Sequence, residues 1–447
     1  MTVTAKGQSS GPRRGVVFVA AMWVLIALVG LVLVMSRWAR VEANATANRT
    51  AALEAAMAAR GGEQYVLSLV EEAQGDASYF DESPAEQVPV GLSAFWIVRP
   101  DRNAEGVLAA GVDDEGGKIN INTASREVLL KLPGMTADVA EAIIDWRDAD
   151  DNPGANGAES AAYQSYRCKN GPFESLEELL LVRGVTPELF YGSDANRNGV
   201  IDPEENGSSG VIGGGTRVVG STPASPVGIR PFVTIYGTGA APQGQQQATN
   251  VNGNPGAVLE LLKSNLSGDR FNEVSPRVQS GRPFRNVLDF YVKTTLTPDE
   301  FGLIADRLST GGQANAAAVN VNTAPAEVLR CLPGLEEADV KALVAARANG
   351  ADTSNLAWVA AAIDKGKAVT LGDAIIGRSY RYGADVVGVS GDGRAFHRVR
   401  VVVNASQTPA RVVYRRDLTQ EGWPLEWGLR ESLRMSGMAG GAVGAAQ

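Results

Sequence analysis

The chain has 447 residues, 41 Lys plus Arg against 50 Asp plus Glu, a formal net charge of −9 and 44% hydrophobic residues. That balance fits a folded chain of roughly two to four domains and excludes collagen-like, disordered and disulfide-scaffold classes. A single His (His397) rules out His-based triads and three-His zinc centres. Two Cys, Cys168 and Cys331, cannot build a four-Cys zinc site or an iron–sulfur cluster. The two are equally compatible with buried thiols or one disulfide. The acidic excess argues against nucleic-acid or anionic-lipid binding by the chain as a whole.

Residues 1–15 carry Lys6, Arg13 and Arg14 and no acid, and Val16 to Ser36 form 21 residues without a charge before Arg37. A helix of that length spans about 30 Å, a bilayer core, and the basic leader predicts a cytoplasmic N-terminus with the rest of the chain outside. Three readings are open: a plain signal anchor, a secretory signal cut near Ala43-Asn44-Ala45, and a leader cut after Gly15. Arg13-Arg14-Gly15 running straight into Val16 resembles a type IV prepilin leader. That resemblance implies prepilin-peptidase cleavage between Gly15 and Val16 and methylation of the new N-terminus. Pilins carry Glu at the fifth mature position, whereas this chain has Ala20, a departure shared by minor pseudopilin K of type II secretion. Residues 37–74 continue the helix, Ala-rich and free of Pro, with Gly61-Gly62 marking a predicted kink.

Residues 75–121 alternate short apolar runs with turns (AFWIV, GVLAAGV, KINI) and predict antiparallel strands, as do residues 376–418, where Gly391-Asp392-Gly393 suits a hairpin. His397 falls on one of those strands and reads as a half-exposed strand residue rather than a ligand. Between the two strand-rich pieces, 122–206 and 257–375 read as helical, and 207–256 as a Gly-rich linker with one strand near Phe232–Tyr236. Residues 419–447 read as a mostly disordered tail.

An internal repeat marks the helical part. Asn120, Asn122, Thr123, Ala124, Glu127, Val128, Leu129, Leu132, Pro133 and Gly134 recur, 200 residues on, as Asn320, Asn322, Thr323, Ala324, Glu327, Val328, Leu329, Leu332, Pro333 and Gly334. A short strand, a Thr placed to cap a helix with Glu reaching back, and a Pro-Gly turn into a second helix predict helix-hairpin-helix units. Residues 172–186 (PFESLEELLLVRGVT) add a further hairpin at Gly184. Such modules also occur in membrane-anchored external DNA receptors, so that function is the alternative. The phosphate-binding hairpin Gly-hydrophobic-Gly is incomplete, with Thr136, Thr186 and Glu336 in place of the second glycine.

Two acidic loops predict calcium. In SDANRNGVIDPEEN, Asp194, Asn196, Asn198, Val200 (by its carbonyl), Asp202 and Glu205 occupy EF-hand ligand positions around Gly199. The Gly- and Ser-rich exit makes it a lone loop. A second candidate, Asp148, Asp150, Asn152, Asn156 and Glu159, has similar spacing but Pro153 where the turn needs Gly. Either ion would staple a connection that cannot bury a core of its own.

With the leader, the paired Asn-x-Asn-Thr-Ala and Leu-Pro-Gly motifs and the stretches IIDWRDADD and GPFESLEELLLVRGVTPELFYG, the chain resembles the minor pseudopilin K family of type II secretion over most of residues 13–416. The resemblance implies an α+β fold: a long N-terminal transmembrane and pilin helix, an antiparallel pilin-like sheet, and a large inserted helical domain with helix-hairpin-helix (SAM-like) repeats. It further implies a non-catalytic protein of the bacterial inner membrane, its bulk periplasmic, at the tip of a short pseudopilus. There it would initiate assembly and support export across the outer membrane. The implied partners are minor pseudopilins I and J, other pseudopilins, the inner-membrane secretion platform and prepilin peptidase.

Overall fold

A computed structural model describes residues 14–82, 85–102, 104–202, 205, 226–239, 248–311, 315–425, 428–429 and 431–435. Leader residues 1–13 lie outside the described residues, as do 206–225 of the Gly-rich stretch.

Helix α1 (Arg14–Ala73) runs unbroken for 60 residues, about 90 Å at 1.5 Å per residue. Among the described residues it alone is long and apolar enough to cross a membrane. Its first part bares Val17, Phe18, Trp23, Leu25 and Leu33, whereas Ala51, Ala55, Ala58, Ala59, Val66 and Val70 are buried at helical spacing. The predicted kink at Gly61-Gly62 is absent. Gly62 serves a close approach instead: a Cβ there would stand 2.5 Å from Val386 Cγ1 and 2.9 Å from Phe95 Cδ2.

After α1 come β1 (Val88–Val90), β2 (Ser93–Pro100), β3 (Leu108–Ala110) and β4 (Asp113–Asp114). The insertion follows, with three similar units among the described residues. The first holds β5 (Ile119–Asn120), α2 (Arg126–Leu129), α3 (Ala137–Arg147), a 3₁₀ stretch at Leu176–Leu181, α4 (Pro187–Tyr191) and β6 (Val233–Thr234). The second holds β7 (Thr249–Asn250), α5 (Pro255–Asn265), α6 (Gly268–Ser280), α7 (Val287–Thr294), α8 (Pro298–Gly302) and β8 (Leu308–Ser309). The third holds β9 (Val319–Asn320), α9 (Ala326–Cys331), α10 (Glu337–Ala348), α11 (Ala357–Ala362), α12 (Lys365–Leu371) and β10 (Ile375–Ile376). In each unit the opening strand pairs in parallel with the closing one. Ile119–Asn120 therefore belongs to the insertion, not to the antiparallel sheet as its alternation predicts.

The Asn pair explains the repeat. The first Asn accepts the N–H two residues on: Asn122 at 2.9 Å, Asn252 at 2.9 Å and Asn322 at 3.1 Å. The second Asn bonds a distant backbone through both amide atoms, Asn122 to Phe173 and Asn252 to Phe284. Asn322 donates to Thr353 O and Gly377 O and accepts from Trp358 Nε1. The recurring Thr does not cap the next helix: Ser125 and Pro325 hold that position, while Thr123 and Thr323 bond elsewhere. Thr136 and Thr186 do cap α3 and α4, accepting from Val139 N and Leu189 N. The first and third units share one apolar core, and the second has its own.

The chain returns through β11 (Arg381–Val389), β12 (Phe396–Asn404) and β13 (Arg411–Asp417). The sheet runs β1-β2-β11-β12-β13, with β3 on β2 and β4 on β11, every pair antiparallel. Strand alternation sends Phe95, Ile97, Tyr382, Ala384, Val386, Val399 and Val401 to α1. The opposite face carries Trp96, Val98, Val387 and Val389, covered by Trp423, Leu425, Leu429 and Leu433. After 418, predicted as disordered tail, the described residues 419–425, 428–429 and 431–433 thus belong to the folded structure; residues 426–427, 430 and 436–447 lie outside the described residues.

Both crossings between sheet and insertion meet at Asp113-Asp114-Glu115. Asp114 accepts from Ser379 Oγ at 2.5 Å, Thr323 Oγ1 and Asn320 Nδ2 at 2.7 Å, and Gly116 N at 2.8 Å. Glu115 accepts from Thr234 Oγ1 at 2.6 Å, Lys118 Nζ at 3.0 Å and Arg400 Nη2 at 3.2 Å. Asp113 pairs with Lys118 at 2.5 Å. Burial pushes the Asp114 carboxyl above its ordinary range, against its hydroxyl donors. Burial acts on Asp113 too, but Lys118 and Arg400 outweigh it and hold that carboxyl low.

Substituting Gly62→Val should lower stability by about 1–3 kcal/mol through overpacking, measured by chemical denaturation of the detergent-solubilised chain. Gly30→Ala, with nothing within 4 Å, should leave it unchanged.

Candidate metal centre

Helix α3 ends in Asp145-Trp146-Arg147, and Asp148 follows as its C-cap. Trp146 packs inward against Tyr163 and Phe173, and Arg147 turns back to the carbonyls of Ile121 and Ala124. This arrangement brings Asp145 and Asp148 to the same side as Glu159, with one carboxylate oxygen from each within 4.8 Å of the others. Asp145 and Glu159 are 2% and 3% exposed. Asp145 accepts from Gly154 N at 3.2 Å through both oxygens. Neither oxygen of Glu159, nor Oδ1 of Asp148, has a hydrogen-bond partner. Burial, then the charges of Asp145, Asp148 and Asp151, push the Glu159 carboxyl up to about 7. Burial likewise raises Asp148, helped by Asp150 and Asp145.

Buried carboxylates without donors call for a positive charge. The donor set is all oxygen, so this acidic triad could hold a metal ion, with the preference of a hard cation. Of the sequence candidates in this loop, Asp148 and Glu159 come together, whereas Asp150, Asn152 and Asn156 stay exposed. Asp150 instead accepts from Asn152, through both its backbone and side-chain nitrogens. Asp145, the residue that sequence reading missed, lies on α3 one helical turn before Asp148. That i, i+3 spacing was the available signal.

Residues 194–202 and Glu205, the described part of the second loop, fold around their own amides. Asp194 accepts from Asn198 N at 3.1 Å and Gly199 N at 2.9 Å. Asn196 accepts from Asn198 N, and Asn198 from Val200 N. Glu205 reaches back to Ala195 N at 2.9 Å and Asp202 N at 3.1 Å. Gly199 has φ +86°, the left-handed turn that position six requires. Asp194, Asn198 and Glu205 are buried, and Asp202 is half-buried. Asn196, at the mouth, donates to Asp202 at 2.9 Å. Burial, then Glu205, pushes the Asp194 carboxyl up to about 6.

The remaining sequence candidates fall apart from these loops. Gly15 and Val16 lie in the first turn of α1. His397 sits on β12, with Nδ1 3.2 Å from Thr419 Oγ1. Cys168 and Cys331 are buried free thiols. At the third unit's hairpin, Asp339 accepts from Glu336 N and pairs with Lys367 at 2.7 Å, so acids already occupy that turn.

The folded value of Glu159 lies above its ordinary 4.5, so the protonated form favours folding. Without a metal, the contribution of Glu159 to stability should be fully present below about pH 4.5 and be lost as pH rises through about 7. In chelator, thermal melts should show that loss, and Glu159→Gln should abolish it.

Residues 112–191 match a family model described as type II secretion system (T2SS), protein K, and residues 319–372 match a second with the same description. Type II secretion system protein K of Pectobacterium carotovorum subsp. carotovorum is 36% identical over 90 residues, covering 18% of this chain and 27% of that protein. ComE operon protein 1 of Bacillus subtilis (strain 168) is 26% identical over 132 residues, covering 28% of this chain and 55% of that protein. The chain thus spans between about a quarter and just over half the length of these curated relatives. A solved structure, the GspK-GspI-GspJ complex from the enterotoxigenic Escherichia coli type 2 secretion system, aligns with TM-score 0.37 and 12% identity over 85% of this chain and 99% of that one. Two separate segments at either end of the insertion thus match models that carry the same description, type II secretion system (T2SS), protein K.

Proposed function

We propose that this chain is a minor pseudopilin at the tip of the periplasmic pseudopilus, where it initiates assembly with minor pseudopilins I and J and supports protein export across the outer membrane. Its apolar helix sits in the inner membrane, N-terminus in the cytoplasm, after cleavage between Gly15 and Val16. The observation that carries this reading is where the insertion joins the rod. Ser379 N donates to Gly75 O at 3.3 Å, just past the C-terminus of α1, so the insertion caps the end opposite the exposed apolar segment. A subunit can pack alongside the apolar helix from below, while the insertion blocks addition above. Energy for assembly comes from outside the chain, which needs no chemistry of its own.

Two calcium ions fit this design as staples. Asp145, Asp148 and Glu159 would hold one, and Asp194, Asn196, Asn198, Val200, Asp202 and Glu205 the other. A bound cation supplies the charge that their buried carboxylates lack.

Mass spectrometry of the chain from membranes should find a methylated N-terminus at Val16, and the chain should co-purify with candidate minor pseudopilins. A mature chain starting at Thr46 would overturn the reading. Asp194→Ala should lower the melting temperature further in calcium than in chelator, where only its bonds to Asn198 N and Gly199 N are lost; an equal loss in both would count against the calcium site.

A further inference from the structure

The sheet and the insertion do not close completely on each other. Between them lies a cavity of about 230 Å³, larger than the roughly 150 Å³ that lets an apolar protein cavity take up benzene. Leu176 of the 3₁₀ stretch, Phe232 and Tyr236 on either side of β6, and Val344 of α10 line it from the insertion. Val402 of β12 and Tyr414 of β13 line it from the sheet. The rings of Tyr236 and Tyr414 stand 6.2 Å apart, tilted by 56°. A mainly apolar and aromatic wall with a few polar groups is what small-molecule sites present.

Most of the basic groups on that wall are answered within the protein. Lys118 pairs with Asp113 at 2.5 Å and Glu115 at 3.0 Å, and Arg400 pairs with Asp385 at 3.1 Å. Arg416 pairs with Glu177 and, at 3.3 Å, with Glu421; Arg230 stands 4.0 Å from Glu421. Arg102, in the connection between β2 and β3, lines the same cavity. Its Nη2 is shut off from solvent and has no hydrogen-bond partner. The nearby acids are already engaged, Asp113 by Lys118 and Asp114 by Ser379, Thr323 and Asn320.

A second cation lies close by. Arg347, one turn beyond Val344 on α10, donates to the carbonyls of Val321 and Ala324 and meets no carboxylate there. Burial, then the charge of Arg102, lowers this guanidinium to about 10. An apolar cavity thus ends at an unanswered donor in a locally positive field, and leaving such a donor unmet is costly. We propose that this cavity is a binding site for a small amphiphilic carboxylate, its acid group on Arg102 and its ring or short chain against Phe232, Tyr236, Val344 and Val402. The carboxylate supplies Nη2 with a charge-assisted hydrogen bond. Because the body of the ligand touches sheet and insertion together, its binding also stabilises their junction.

The test uses the full-length chain in detergent and two probes of one shape, phenylbutyrate and the uncharged phenylbutanol, each titrated calorimetrically against detergent alone. Phenylbutyrate should bind about tenfold or more tightly than phenylbutanol. Arg102→Met should erase that difference, and Val344→Trp, which fills the cavity, should remove the uptake of both. Equal binding of the two probes, or a preference that survives Arg102→Met, overturns the carboxylate site. Binding that survives Val344→Trp puts the probes elsewhere and overturns it too, as does uptake of neither probe. Should Arg102→Met fail to fold, the two probes on the parent chain and on Val344→Trp decide.

Discussion

Three consecutive acids, Asp113, Asp114 and Glu115, hold the molecule together at the point where a sheet becomes a helical domain. Their partners come from the neighbouring turn (Lys118), the first unit's closing strand (Thr234), the third unit's opening turn (Asn320, Thr323), the returning chain (Ser379) and the sheet (Arg400). Buried carboxylates tolerate this only because every one is met by donors or cations, and breaking one such pair typically costs about 3–5 kcal/mol. The insertion is therefore fixed by a polar knot rather than by a large apolar interface. Each of the apolar clusters lies on one side of it.

This knot changes how the charge of −9 should be read. The acids are not a diffuse surface field. Some neutralise buried bases at the junction, some gather at the end of α3, and some line the 194–205 loop. The rigidity of the junction is set by ionic contacts among side chains.

Much of this was legible in the sequence. The apolar segment announced α1, alternation announced the sheet, and the 200-residue register announced two of the units. The second unit was hidden because it keeps only the Asn pair and the Pro-Phe step (Asn250, Asn252, Pro283, Phe284) and has lost Thr-Ala and Leu-Pro-Gly. Those two elements form the hydrogen bonds that span the interior of the unit, so the retained residues are the ones that hold it together. Gly62 read as a weak point because propensity is local, whereas its reason is Val386, more than three hundred residues away. Asp145 stands one helical turn before Asp148, but nothing local reveals that Glu159 comes to meet them. The Asp113-Asp114-Glu115 knot was invisible for the same reason: each of its long-range partners is set by topology.

The parallel strand pairs that close each unit have a consequence of their own. Every unit begins and finishes at the same place, side by side, so the path outside it is the same whether the unit is present or absent. A chain built this way can gain, lose or diversify a unit without re-registering the sheet or re-threading α1. The rod and the cap are then free to evolve at different rates.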